Sequence, residues 1–409
     1  MKSVLKALQL NFKPMGKVMV IAFASQLHRH RIGELSNVDA VIYDENDVSN
    51  IKVGDSIPVL LILSGGVSRT VARFVDINGI KNTMILSHPL NNSLASAISA
   101  RAMLEERGVA ASIYHLSSIN DVPRVVKAIE SILRIKGSKV ALVGVNEKGS
   151  VGEAFEKKFN AKVDAIPMNL FEEMVNNVKH TDAKSFIDDV LDRLAFEVPL
   201  DKLIKVGKVY AALLSIAKNY NALALNCFPY LMKHGVTPCL ALAKLNEEGK
   251  LTACEYDLKS LFLMMVLHSL TGYSGWIANV NDVEGNLVRM SHCTIALNMI
   301  KSGKVVTHYE SGNPYSISAE INAETVTAVS VSSDFNNVYV FTGLLNKSGN
   351  LNLNACRTQA EIKVNFDSSV IPNYAPANHH VVVPGNYVNE LEVFLKLLGV
   401  NVIKYSSLV

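Results

Sequence analysis

The sequence predicts an α/β protein: two parallel-sheet α/β domains followed by a β-rich, antiparallel carboxyl-terminal domain. Three observations carry that reading. From residue 18 to about residue 280, short apolar runs of strand length alternate with segments of helical period, as parallel strands with crossover helices require. After Cys293 the texture changes to short β-rich runs joined by Asn, Gly and Ser turns, which fits an antiparallel sheet or partial barrel. Finally, 409 residues are too many for one core, and 49% apolar against 19% charged residues are enough to fill several.

The first domain, 1–136, has strand-like runs at 18–24, 39–43, 59–63, 83–87 and 110–114, with helical period at 93–107 and 122–135. Ser64-Gly65-Gly66 follows the third strand and precedes a helix-like run starting near Ser68. A glycine turn there can seat an anion on a helix N-terminus, but it is neither GxGxxG nor a Walker loop, so a tight turn is the plainer reading. The basic loop QLHRHR (26–31) is by default solvated. A second domain, 137–300, opens after the break IKGSK (135–139). It reads as a strand at 139–145, a helix near 151–159, a strand at 163–167 and helical runs at 170–178, 183–194 and 203–220.

Four short apolar runs follow, at 222–225, 239–243, 252–254 and 275–280, each expected to be a strand. They end in Asn226, Lys244, Glu255 and Asn279. The nearly all-apolar segment 258–270 reads as the crossover helix between the last two as parallel neighbours. Ligands bind beyond the carboxyl ends of such strands, so Glu255, Asp257, Asn279, Asp282 and His292 are expected to crowd one rim. The third domain, 301–409, has β-rich runs at 305–311, 315–321, 325–330, 338–345 and 355–365, then a helix at 388–398 and a strand at 401–405.

Composition removes several function classes. The formal charge is only +3, and no basic block or aromatic-spaced Lys/Arg stripe marks a nucleic-acid surface. Residues 1–17 carry lysines without a signal-length apolar core, and 258–270 is too short to span a bilayer. A cytoplasmic protein with no membrane partner is expected. The five cysteines (Cys227, Cys239, Cys254, Cys293 and Cys356) are odd in number and lack CxxC spacing, so neither a disulfide framework nor a zinc ribbon is indicated. There is no GxSxG elbow and no HExxH helix.

What remains is metal chemistry. Hard divalent ions take carboxylate oxygens, and imidazole nitrogen suits manganese and its neighbours. Glu255 ends a strand and precedes a helix. Asp257 stands where a helix N-cap is an equal alternative. His379 and His380 enter a strand side by side, so their side chains point opposite ways and at most one faces a given site.

Several stretches carry a family likeness: CFP (227–229), GVTPCLAL (235–242), ACEYDL (253–258), LTGYSGWIANV (270–280), SHCT (291–294), THYESG (307–312), CRTQ (356–359) and ANHHVVVPGNY (377–387). LSGG (63–66) and NNSLASA (91–97) add to it in the first domain. In this order they resemble the L-fucose isomerase-like family, within the L-fucose/L-arabinose isomerase superfamily. The resemblance implies a metal-dependent aldose–ketose isomerase of carbohydrate metabolism working through an enediol, with Mn2+ held by a glutamate, an aspartate and a histidine. Glu255 falls on the glutamate and His379 on the histidine, with His380 as its neighbouring alternative. The aspartate position is Asn279, whose neutral amide is a weaker ligand and accepts no proton.

The expected set therefore has Glu255 and Asp282 as catalytic groups, Asp282 replacing the lost aspartate if the loop turns back, with Asp257 as the other possible replacement. Glu255, Asn279, His379 and His380 are the expected metal ligands; Asn226, His308, Glu310, Arg357 and Asn378 are the expected sugar contacts. The resemblance further implies a homo-oligomer whose site lies near a subunit interface and is covered by a neighbour's first domain; the basic loop 26–31 is this chain's candidate for that contact. Two alternatives stay open: a non-catalytic sugar-binding relative, motivated by Asn279, and an epimerase or lyase using the same metal site.

Overall fold

Aliphatic runs buried on both faces dictate the two parallel sheets. The computed structural model describes residues 17–29 and 38–408, so residues 30 and 31 of the basic loop lie outside the described residues; Gln26–His28 form a turn of 3-10 helix. The chain divides into two compact units, residues 1–137 with 396–398, and residues 138–395 with 399–409.

In the first unit, Val18–Phe23, Ala40–Ile42, Ile57–Ile62, Asn82–Ser87 and Ala110–His115 form one parallel sheet. Its spatial order places Ala40–Ile42 at one edge, then Val18–Phe23, Ile57–Ile62, Asn82–Ser87 and Ala110–His115. The helices Ser68–Ile77 and Ser93–Glu105 cover it, burying Phe74, Val71, Leu104 and Ala100 against Phe23, Leu60 and Ile85. The turn Ser64-Gly65-Gly66 is closed by Gly65 N donating to the carbonyl of Asn91 at 2.7 Å.

The second unit has a small parallel sheet in the order Thr252–Ala253, Ala222–Leu225, Lys139–Val143, Lys162–Ile166. It also holds a seven-stranded sheet: Thr325–Val331, His379–Pro384, Trp276–Glu284, Leu287–His292, Thr358–Lys363, Asn337–Gly349 and Asn401–Lys404. Thr325–Val331 pairs back onto Asn337–Gly349, which closes the first six of these strands into a barrel. Ile300–Thr307 and Pro314–Ile321 form a separate antiparallel pair, joined in parallel by Ala195–Phe196.

Two expectations fail here for physical reasons. The run 239–243 is the first turn and a half of the helix Cys239–Glu247 rather than a strand. Its Leu and Ala are helix formers, and a short run buried on every side has no periodicity to separate the two states. Gly275–Val280 does not return to the parallel sheet. Trp276–Glu284 instead enters the barrel, antiparallel to both Leu287–His292 and His379–Pro384. The helix Leu258–Thr271 is thus no crossover between parallel neighbours. It packs against Thr252–Ala253 and Ala222–Leu225 on one side and against Thr325–Val331 and His379–Pro384 on the other, which is why it is apolar all round.

The entry into the barrel is tight. Gly275 sits at φ +85°, and a β-carbon there would collide with Val381 Cγ1 on the neighbouring strand. Gly275→Ala is therefore expected to destabilise the protein by about 1–3 kcal/mol, read as a lowered urea midpoint with unchanged slope.

Candidate metal centre

The site is built where the parallel sheet meets the barrel. Glu255 leaves the carboxyl end of Thr252–Ala253, and both Glu255 (φ +55°) and Tyr256 (φ +42°) adopt the left-handed region that non-glycine residues avoid. Each such residue costs about 1–3 kcal/mol and persists only when its surroundings over-determine it. Here Tyr256 N donates to the Leu225 carbonyl at 2.9 Å and Asp257 N to that of Cys254 at 3.1 Å. Asp257 then caps the helix Leu258–Thr271, its Oδ1 accepting from the amides of Lys259 and Ser260, both at 3.0 Å. The strained turn lifts the Glu255 carboxylate above the strand end.

Two histidines arrive from the barrel. His379 opens His379–Pro384, in register with Asn279, and His292 closes Leu287–His292, so they flank the strand that carries Asn279. One ligand atom from each of Glu255, His292 and His379 lies within 4.8 Å of the others. Glu255 Oε1 is 3.5 Å from His292 Nε2, and Glu255 Oε2 is 3.8 Å from His379 Nε2. His379 Nδ1 lies 2.8 Å from Asp257 Oδ2. That bond fixes the tautomer, with the proton on Nδ1, and leaves a buried Nε2 that has no hydrogen-bond partner. Buried polar atoms are seldom orphaned. A lone pair aimed at a carboxylate and a second imidazole, with a carboxylate behind the ring, is the arrangement that holds divalent ions. The donor set fits a cation.

The electrostatics agree. Burial pushes the Glu255 carboxyl up, but His292 and His379 outweigh it and hold it below its ordinary value. Burial likewise raises Asp257, and its bonds to His379 and Ser260 more than reverse this. Burial lowers His308, which feels the charges of His292, Glu255 and Arg357 and so belongs to the same neighbourhood.

The other expected residues are distributed as follows. His380 points to the opposite face, fully buried, with Nε2 3.0 Å from Tyr405 Oη; burial lowers it to about 4. Asn279 is half-buried beside His379, its Oδ1 taken by Asn378 Nδ2 at 2.7 Å. The chain does not turn back after Asn279. The strand runs on to Glu284, and Asp282 sits exposed in a pair with Arg289, which also binds Glu284 and Glu361. Asn226 stands at the end of Ala222–Leu225 and donates to the Gly144 carbonyl at 3.3 Å. Arg357 is held by the Thr307 carbonyl at 2.8 Å and lies over the Tyr309 ring, with Glu310 exposed on the same turn.

The sequence places His292 and Asp257 on the rim with Glu255 but assigns neither His292 as a metal ligand nor Asp257 as the partner of His379. The signal for His292 is its place at a strand end after a hairpin. The cysteines also converge, though widely spaced in the chain. Cys254 Sγ lies 3.8 Å from His292 Nε2, Cys293 and Cys356 are 3.1 Å apart, and Cys227 and Cys239 lie among them.

No family model matches the chain. A stretch of 82 residues, 19% of the chain, is 33% identical to the sulfoquinovose isomerases of Priestia aryabhattai and Priestia megaterium (strain ATCC 12872 / QMB1551). A stretch of 81 residues matches that of Alkalicoccus urumqiensis, also at 33%. The match covers 18% of each relative's length.

Asp257→Asn keeps the helix cap but removes the charge behind His379. It is expected to weaken the binding of an added divalent ion about 10–100-fold by calorimetry while the melting temperature moves little.

Proposed function

We propose that the chain is a sugar isomerase that interconverts an aldose and a ketose at the Glu255, His292 and His379 group. The observation that carries this is the orphaned Nε2 of His379, set by Asp257 and facing the Glu255 carboxylate. The partial likeness to sulfoquinovose isomerases supports the reaction class, and the ordered motifs support a place in the L-fucose isomerase-like family. The reading extends to a manganese-class ion, a cytoplasmic setting and a homo-oligomer.

A divalent ion held by these three side chains would polarise the sugar carbonyl and acidify the adjacent C–H. Glu255 is the base. Its carboxyl is held ionised and half-exposed at the strand end, so it is free to take the proton from C2 of the aldose and return it to C1. With Asn279 where an aspartate is expected, one carboxylate serves both carbons, which requires transfer on a single face of the enediol. Asp257 keeps His379 in the tautomer that leaves Nε2 bare. His308, kept neutral by burial, is placed to orient a hydroxyl, as are Asn226 and Arg357 at the margins of the group.

Glu255→Gln is expected to lower turnover about 100- to 10,000-fold with unchanged circular dichroism. Proton NMR of the reaction in deuterated water is expected to show ketose formed from aldose with deuterium from solvent. An aldose inverted at C2 identifies an epimerase instead, and saturable sugar binding without turnover identifies a non-catalytic relative.

A further inference from the structure

Cys293 and Cys356 form a pair of thiols at the edge of the metal group, and the isomerase reading leaves them without a role. Their sulfurs stand 3.1 Å apart, about 1 Å longer than the bond of a disulfide. The two arrive from neighbouring strands of the barrel. Leu287–His292 and Thr358–Lys363 run antiparallel, and their pairing ends on His292 and Thr358. Cys293 is the next residue after the first strand, and Cys356 lies two residues before the second. Barrel closure thus brings together two cysteines that are 63 residues apart in the chain.

The pair has the asymmetry that reversible oxidation needs, one reachable thiol and one buried partner in contact with it. Cys356 is partly exposed, whereas Cys227, Cys239, Cys254 and Cys293 are each no more than 6% exposed. An oxidant from solvent therefore meets Cys356 first. Cys293 donates a hydrogen bond to Cys356 Sγ, which holds that thiol below its ordinary value against the opposing effects of burial and of the Glu310 and Glu255 carboxylates. More of it is then thiolate, the form that attacks.

We propose that Cys293 and Cys356 are a reversible oxidation site, which takes a small hydroperoxide and closes to an intramolecular disulfide beside the metal group. The Cys356 thiolate attacks one peroxide oxygen, so an S–O bond forms as the O–O bond breaks. The departing hydroxide takes up the proton of the thiol and leaves as water. Cys293 Sγ then attacks the Cys356 sulfur, the S–S bond forms, the S–O bond breaks, and the oxygen leaves with the Cys293 proton as a second water. The two sulfurs lose two electrons and the peroxide gains them; a dithiol reverses the step by exchange. In a reducing compartment such a pair rests as two thiols and is oxidised transiently.

Closure falls on one side of the pair. The Cys293 carbonyl accepts from Ile317 N at 3.1 Å and from Ser316 Oγ at 2.9 Å, and Thr294 Oγ1 holds the Cys239 carbonyl at 2.8 Å. Residues 350–357 belong to no helix or strand. Cys356 therefore moves toward Cys293 and carries Arg357 with it, while His292 keeps its place beside Glu255 and His379.

The test treats the full chain with a few equivalents of hydrogen peroxide, removes the excess with catalase and counts thiols by alkylation and mass spectrometry. The five free thiols are expected to fall to three as one disulfide-linked peptide joins Cys293 to Cys356, and dithiothreitol is expected to restore all five. Cys293→Ser is expected to stop at a dimedone-reactive sulfenic acid on Cys356, and Cys356→Ser to form no disulfide. Mn2+ affinity is expected to agree within about two-fold between the reduced and oxidised wild type, because His292 does not move. A thiol count that stays at five, a link between any other two cysteines, a wild-type sulfenic acid that does not resolve, or a larger change in Mn2+ affinity would overturn it. The thiol count involves no sugar, so failure of the isomerase reading leaves this site standing, and its own failure leaves that reading untouched.

Discussion

The hydrogen bond between Asp257 and His379 is the contact on which the site depends. Asp257 belongs to the parallel sheet's last turn and His379 to the first residue of a barrel strand, 122 residues later. The same carboxylate caps the helix that packs between these two sheets. Where the helix starts, where the barrel strand starts and which nitrogen of His379 is bare are therefore one decision. Removing either group leaves a buried polar atom of the other without its partner, which makes this contact more demanding than a surface ion pair.

The strain next to it has the same logic. Two consecutive left-handed residues without glycine are tolerated at Glu255 and Tyr256 because the backbone is bonded on both sides, to Leu225 and Cys254. A relaxed turn would drop the carboxylate toward the sheet. Two of the thiols around the group are kept out of its chemistry by their surroundings: burial pushes Cys227 up to about 12 and Cys254 well above its usual value, so they stay protonated. Two imidazoles and one carboxylate then define the donor set, a mixture that favours ions of manganese, iron or zinc character over calcium.

How far the sequence showed this depended on the kind of signal. Alternation made the parallel sheets and the β-rich half readable, and strand-end position made Glu255 stand out. The period of two in a strand separated His379 from His380 in principle, and the structure turns them to opposite faces. The helix Cys239–Glu247 was hidden because a run buried on all sides carries no period. The fate of Trp276–Glu284 was hidden because pairing partners are set by contacts distant in sequence, here His379–Pro384 about a hundred residues on. Asp282 looked available until the strand continued past it and Arg289 claimed it. His292 was legible as a rim residue from its strand-end position, but its place beside His379 is set by the barrel, where their two strands flank the one that carries Asn279.

The most direct test of the account is the anomalous difference map from crystals of the full chain grown with Mn2+, collected just above the manganese K absorption edge, with a second map just below the edge to identify the element. The account predicts one dominant peak about 2.0–2.4 Å from a Glu255 carboxylate oxygen and from the Nε2 atoms of His292 and His379. A fully occupied manganese elsewhere in the molecule, or an ordered site in which His379 Nε2 bonds to a protein group and no ion, would contradict it.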